Sequence, residues 1–344
     1  MSTLSLARRF AAGLLFSVAL GATAASLNAP PLLLATAVEQ SDASALQPEA
    51  VHSRTAVEIL ARLDRHYANR KLDDQLSSEM LDRYLRDLDP SRLYFIQSDI
   101  QEFEQFRLRL DDQLRAGNLS AGYQIYNRYL QRVEESIGDL LSTLSNGIDD
   151  LDFEGAGTVM IDRREAPWAK NSEEKRELWQ RRLKDAVLTM RLNGDAEDEI
   201  AGRLERRYSS QLKRLRQSTP EDVFQIYINA LTTTFDPHTN YHTPHNSENF
   251  TINMSRSLEG IGAVLQAEDE FTKVVRLIPG GPAAKSGLLR PADRIVGVAQ
   301  DEEEIVNVIG WRLDEVVNLI RGPKGSQVRL EVIPAGSPSE HNTR

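Results

Sequence analysis

The chain has 344 residues, more than one ordinary core organises, so about two or three domains are expected. Its 41 Lys and Arg stand against 51 Asp and Glu, a net charge of −10 that argues against a general nucleic-acid binder, and 40% hydrophobic residues are too many for disorder throughout. There is no Cys, which excludes disulfide scaffolds, cysteine nucleophiles, Cys-ligated zinc and iron–sulfur clusters, and leaves the redox compartment open.

Arg8 and Arg9 precede an apolar run from Phe10 to Leu20, followed by Ala22-Thr23-Ala24. A basic start, a short apolar stretch and an Ala-x-Ala site describe a secretory signal peptide over residues 1–24. The run falls short of the roughly 20 residues that a bilayer span needs, and no other segment reaches that length, so no stable membrane span is expected. Residues 25–50 are expected to form a disordered linker, since the stretch from Val38 to Ala50 is polar and lacks periodicity.

Residues 51–235 read as an all-helical domain. Ala56, Ile59, Leu60, Leu63 and Tyr67 fall on one face at helical spacing. A second helix is predicted to start after Asp73 and stop before Pro90. Ser98 is a candidate cap for a helix carrying Phe103, Phe106 and Leu110 and ending at Gly117. Tyr123, Tyr126, Leu130, Val133, Ile137, Leu140 and Leu144 form a heptad seam, expected to pack against a neighbouring helix. Two charged amphipathic helices follow, Asn171 to Asn193 and Asp195 to Gln217. Thr219-Pro220-Glu221-Asp222 is a strong start for another, with Thr as cap, Pro at the first position and acids at the positive dipole end. Residues 161–217 hold 15 basic and 11 acidic residues, read as a solvated face laced with ion pairs. Residues 236–250 are expected to link this domain to the next.

From 251 to 336 Gly and Pro become frequent and the apolar pattern turns to period two. Phe271 to Ile278, Arg294 to Val298 and Gln327 to Ile333 are predicted strands. A short helix opened by Gly281-Pro282 and closed by Gly287, and a second from Leu313 to Ile320 stopped by Gly322-Pro323, interrupt them. Residues 337–344 form a polar tail.

The segment Arg256-Ser257-Leu258-Glu259-Gly260-Ile261-Gly262-Ala263 carries the most chemistry. Its glycines let successive backbone N–H groups converge on an anion, and the strand from Ala263 to Gln266 leaves an edge to which a peptide can add. With Gly280 to Leu288, Asp293-Arg294-Ile295-Val296 and Gly322-Pro323-Lys324-Gly325 in that order, the segment resembles a PDZ domain. The fold class is therefore α+β: an all-helical domain followed by a PDZ domain, a small, partly open β-barrel or sandwich with two helices. The resemblance implies that a terminal carboxylate sits against the N–H groups of Gly260 to Ala263, with Arg256 nearby through water. It places the last side chain in a pocket of Ile261, Ala263 and Leu265 on the strand side and Leu313, Val317 and Ile320 on the helix side. The four-and-three spacing of those last three residues puts them on one helix face.

Further motifs narrow the resemblance. Phe235-Asp236-Pro237-His238-Thr239-Asn240-Tyr241, Asp89-Pro90-Ser91-Arg92-Leu93-Tyr94-Phe95 and the sequence stretches 258–265, 280–289, 310–325 and 328–336 are similar to those of the tail-specific proteases, the carboxy-terminal processing peptidases of the bacterial periplasm. The likeness runs over about residues 50–336. It implies periplasmic localisation, capture of apolar C-terminal tails of substrate proteins, and a helical body that helps enclose the substrate and can dock an adaptor lipoprotein. The family's Ser nucleophile and Lys base lie beyond the PDZ domain in a separate α/β domain. Neither is expected in this chain, which ends at Arg344, so no catalytic residue is assigned. The alternative is a stand-alone, non-catalytic PDZ adaptor or decoy.

Other chemistry is weaker. Ser172-Glu173-Glu174-Lys175 has Ser-x-x-Lys spacing but opens a charged helix without companion motifs. His238, His242 and His245 are three of the six histidines, yet Pro237 and Pro244 break helical ligand geometry, and neither a metal nor another cofactor is expected. Asn118-Leu119-Ser120 and Asn249-Phe250-Thr251 match the glycosylation sequon and carry little weight.

Overall fold

The structure, a computed structural model, describes residues 45–148, 151–153, 157–244, 247 and 260–337. The expected signal peptide, most of the expected linker, Arg256 and His245 lie outside these residues.

Among the described residues eight α-helices of the first part are defined: α1 (Ala50–Leu63), α2 (Asp74–Leu88), α3 (Gln97–Phe103), α4 (Leu110–Arg115), α5 (Ser120–Ser145), α6 (Ser172–Leu192), α7 (Glu197–Arg216) and α8 (Pro220–Phe235). Local chemistry sets most of their starts. Asp73 accepts from the Leu76 N–H, Asn171 from Glu174, and Thr219 from Asp222, each satisfying an otherwise orphaned donor. The chain is already ordered before α1. Leu46, expected within the linker, exchanges two backbone hydrogen bonds of 3.0 and 2.9 Å with the Asn127 amide.

Two apolar cores share α5. Its first turns bury Tyr123, Ile125 and Tyr126 with residues of α1, α2, α4 and α8. Its later turns bury Val133, Ile137, Leu140 and Leu144 with Trp179, Leu183 and Val187 of α6 and Ile200, Leu204 and Leu212 of α7. The heptad seam thus serves two successive sets of neighbours, and Leu130, at the changeover, is only half-buried. Gly122 permits the closest approach in the first core, because a Cβ there would lie 2.5 Å from the Tyr227 ring.

Two helical expectations are corrected. Tyr67 does not extend the α1 face; α1 ends at Leu63, the chain turns through Asn69 with φ of 47°, and Tyr67 is 79% exposed. The single helix from Ser98 to Gly117 is instead α3, a 3₁₀ turn at Glu104–Phe106, and α4. The surface of α2 supplies partners that replace helical bonds: the Ser77 hydroxyl takes the Leu110 N–H at 2.9 Å, and Arg107 reaches Ser78 and Asp82. Asp99, not Ser98, caps α3, its carboxylate accepting from the Ile96 N–H at 3.1 Å.

The turn after α2 has a similar origin. Asp89 is buried and accepts three backbone N–H bonds, from Leu93 at 2.8 Å, Tyr94 at 2.8 Å and Phe95 at 3.1 Å. Trp179 closes over this turn, donating from its indole to the Leu93 carbonyl at 2.9 Å. The expected solvated face of 161–217 is laced with pairs, among them Arg176–Asp139, Arg181–Glu177 and Arg216–Glu134. No helix among the described residues is long and apolar enough to cross a membrane.

The second part is an antiparallel sheet with two short helices. Its strands are β1 (Ala263–Glu268), β2 (Phe271–Leu277), β3 (Arg294–Gln300), β4 (Val306–Asn307) and β5 (Val328–Ile333), with α9 (Pro282–Ser286) and α10 (Leu313–Ile320). The strand order is β1-β2-β3-β4, with β5 pairing the other edge of β3, so the sheet does not close. The two-residue β4 was not foreseen, being too short to show alternation. Val274, Ile295, Val298, Val316, Ile320 and Val332 fill the core between sheet and α10. Asp293 ties the turn before β3 to the chain after β5, accepting from the Arg290 and Ala335 N–H groups.

The most consequential charge in the helical body is Asp99, whose side chain is fully buried between Arg128 at 2.7 Å and Arg132 at 2.9 Å. Burial alone would raise its pKa, but the bonds from Arg132, the Ile96 N–H and Arg128 outweigh that and hold it below the usual carboxylate value. A depressed carboxylate stabilises the fold above its unfolded pKa and loses that contribution as pH falls through its folded pKa. Because both arginines retain other acid partners, Asp99→Ala is expected to cost about 2–4 kcal/mol rather than the full penalty of a stranded buried ion. Urea denaturation at neutral pH measures this, and the gap between wild type and variant should narrow below about pH 4.

Candidate peptide-binding groove

The loop before β1 is built by two glycines in close approach. Gly262 has φ of 73°, and a Cβ there would lie 3.0 Å from the Gly281 Cα. This proximity lets the Ile261 carbonyl accept from the Ala283 N–H at 2.8 Å and the Gly262 carbonyl from the Ile278 N–H at 2.8 Å. The Ile261 carbonyl is directed to α9 and the Gly262 carbonyl to the chain just past β2, while the N–H groups of Ile261 and Gly262 have no acceptor among the described residues. The loop then enters β1, which among the described residues pairs only with β2 and is there an edge strand. Its register with β2 slips between Val264 and Leu265.

Helix α10 lies against β1 and β3. Ile261, Ala263 and Leu265 are half-buried and pack on the domain core. Leu313 and Val317 are half-buried on the helix, whereas Ile320 is 5% exposed and belongs to the core with Val316. The sequence-derived residues therefore sort into an exposed loop glycine, Gly260, a partly open apolar lining, and one core residue. Arg256 lies outside the described residues. Among the described residues the arrangement offers unpaired N–H donors, a free strand edge and apolar side chains side by side.

The Ser-x-x-Lys pair does not assemble. Ser172 is exposed at the start of α6, while Lys175 turns inward and donates to Glu135 at 3.0 Å. Burial lowers the Lys175 pKa, with the Glu135 bond opposing it. Among the described residues no group of three His, Cys, Asp or Glu side chains could hold a metal ion.

Residues 57–245 match the family described as tail specific protease N-terminal domain, and residues 249–333 match the PDZ domain family. The chain belongs to the tail-specific proteases. It is 39% identical over 271 residues to the tail-specific protease of Haemophilus influenzae, covering 78% of this chain and 39% of that protein. It is 38% identical over 101 residues to the carboxy-terminal processing protease CtpA of Bacillus subtilis, covering 29% of this chain and 20% of the relative. Among solved structures, the PDZ domain of the carboxy-terminal protease from Vibrio cholerae, in complex with peptide, is 54% identical with a TM-score of 0.24, covering 25% of this chain and 87% of that one. The chain thus spans about two fifths of the length of its Haemophilus relative.

In this tail-specific protease chain the groove is fastened to the helical body by a polar seam that sequence reasoning missed. Arg312, the residue before α10, pairs with Asp222 of α8 and donates to the Gln217 carbonyl at 3.2 Å. Gln217 in turn donates to the Gly310 carbonyl at 2.8 Å. Burial would raise the Asp222 pKa, but Arg312 and Thr219 hold it below the usual value. The partners lie ninety or more positions apart in sequence, so no local pattern announces them.

Two outcomes are expected. Gly262→Ala should destabilise the PDZ part by about 1–3 kcal/mol, since it combines a left-handed φ with backbone crowding. Thermal unfolding checks this, and an unchanged transition would count against the close approach. A double-mutant cycle of Asp222→Ala and Arg312→Ala should give a coupling of roughly 0.5–3 kcal/mol in urea denaturation. Additive effects would mean that the seam carries no energy.

Proposed function

We propose that this chain is the substrate-recognition portion of a periplasmic C-terminal processing serine endopeptidase. Its PDZ domain captures proteins that end in a free carboxylate after a small or medium apolar residue. The observation that carries this reading is the coincidence, among the described residues, of an edge strand, β1, with N–H groups at Ile261 and Gly262 that have no acceptor and an apolar lining beside them. Membership of the tail-specific proteases supports it.

The tail adds to β1 as an antiparallel strand, its carboxylate against the N–H groups of Gly260 to Ala263 and Arg256 assisting through water. The last side chain enters between Ile261, Ala263 and Leu265 and the helix residues Leu313 and Val317, with Ile320 beneath. Peptide bonds are cut in a Ser/Lys domain of the whole protein, and the groove governs which chains reach it. Residues 1–24 direct export, and the helical body is the dock for an adaptor lipoprotein.

Calorimetry with one apolar-tailed peptide as free acid and as amide tests the reading. The amide replaces a charged acceptor by a donor, so its affinity should fall roughly ten- to a hundredfold. Val317→Asp should abolish binding of the acid by placing an unpaired carboxylate in the apolar lining, while the helical body stays folded. Equal affinities for acid and amide would refute the proposal.

A further inference from the structure

An open cavity lies where the groove meets the helical body. It has a volume of about 320 Å³ and is lined by Gln217 of the body and by Gly310, Trp311, Arg312 and Glu315 around the start of α10. Trp311 is 42% exposed. The Gly310 N–H donates to the Glu270 carbonyl at 2.7 Å, which fixes this cavity beside the β1–β2 turn. That turn is at the end of β1 opposite the glycine loop.

This placement has a directional consequence. A peptide whose carboxylate sits at the start of β1 must run antiparallel to it, so its upstream residues travel toward Glu268. At about 3.3 Å per residue, the length of β1 brings the fourth to sixth residues from the peptide's end to the mouth of the cavity. The charge there is negative. The guanidinium of Arg312 faces two carboxylates, Asp222 and Asp314, and Glu315 adds a third. Across the mouth, Glu268 is paired with Lys273, while Asp269 and Glu270 are exposed.

We infer that this cavity is an extended subsite that takes a basic residue, Lys or Arg, four to six positions from the end of the captured tail. The cation would lie on the Trp311 indole with its charge toward Glu315. The helical body contributes through Gln217, so the subsite exists only where body and PDZ domain meet. The inference rests on the tail-capture reading above.

The test uses the full chain and two kinds of synthetic peptide. A three-residue acid-ended tail stops short of the cavity. Eight-residue tails carry Lys or Glu at the fourth, fifth or sixth position from the end. At one of these positions Lys should bind roughly three- to tenfold more tightly than Glu. That ratio should fall toward one in Trp311→Leu and shrink in Glu315→Gln, which keeps an acceptor for the α10 cap. Equal binding of Lys and Glu peptides at all three positions, with the three-residue acid still preferred over its amide, overturns the subsite and leaves the groove reading intact. Loss of that acid preference overturns the groove reading, and the subsite falls with it.

Discussion

The carboxylate of Asp222 serves two helices at once. It completes the capping box of α8 by accepting from the Thr219 N–H and hydroxyl, and it grips Arg312 at the start of α10. Helix α10 is the wall of the groove, so one partly buried acid joins the helical body to the surface that would meet a substrate. Arg312 is well suited to this task, because its planar fork can address Asp222, Asp314 and the Gln217 carbonyl together. The seam is polar, whereas the cores on either side of it are apolar. Such a junction fixes orientation while storing little energy, as hydrogen bonds between half-exposed charges are weak in net terms.

The rest of the molecule gives that seam something stiff to hold. Helix α5 runs 26 residues through both helical cores, so the two behave as one support. The fully buried side chain of Asp99 locks α3 to α5, with Arg132 also holding Glu135, which in turn takes Lys175 of α6. Tyr94 is sealed under this region by Trp179, and burial pushes its phenol pKa up to about 12, so it stays neutral and hydrogen-bonded to Gln211. The PDZ part has a smaller core and an open sheet.

How much of this the sequence revealed depends on the range of the forces involved. Helix starts at Asp73, Asn171 and Thr219 were legible because capping acts over three residues. The glycine loop was legible for a related reason, since Gly262 meets a backbone demand that few residues satisfy. The break between α3 and α4 was not, because Ser77 and Ser78 of a different helix decide it. Tyr67 had the right spacing but fell past the helix end. At the groove, periodicity placed Leu313, Val317 and Ile320 on one face but could not say that Ile320 sinks into the core while the other two stay half-open. Trp311 and Gln217 gave no signal, as exposure and tertiary proximity are invisible in composition or period.

The three tryptophans are divided by the seam. Trp168 and Trp179 pack within the helical body, while Trp311 alone stands in the PDZ part with much of its ring in water. Indole emission shifts to longer wavelength with solvent exposure, so the native molecule has two spectrally distinct populations of fluorophore, one for each side. The body's own signal is shielded from whatever enters the groove, and the lone indole beside α10 is an optical reporter already in place.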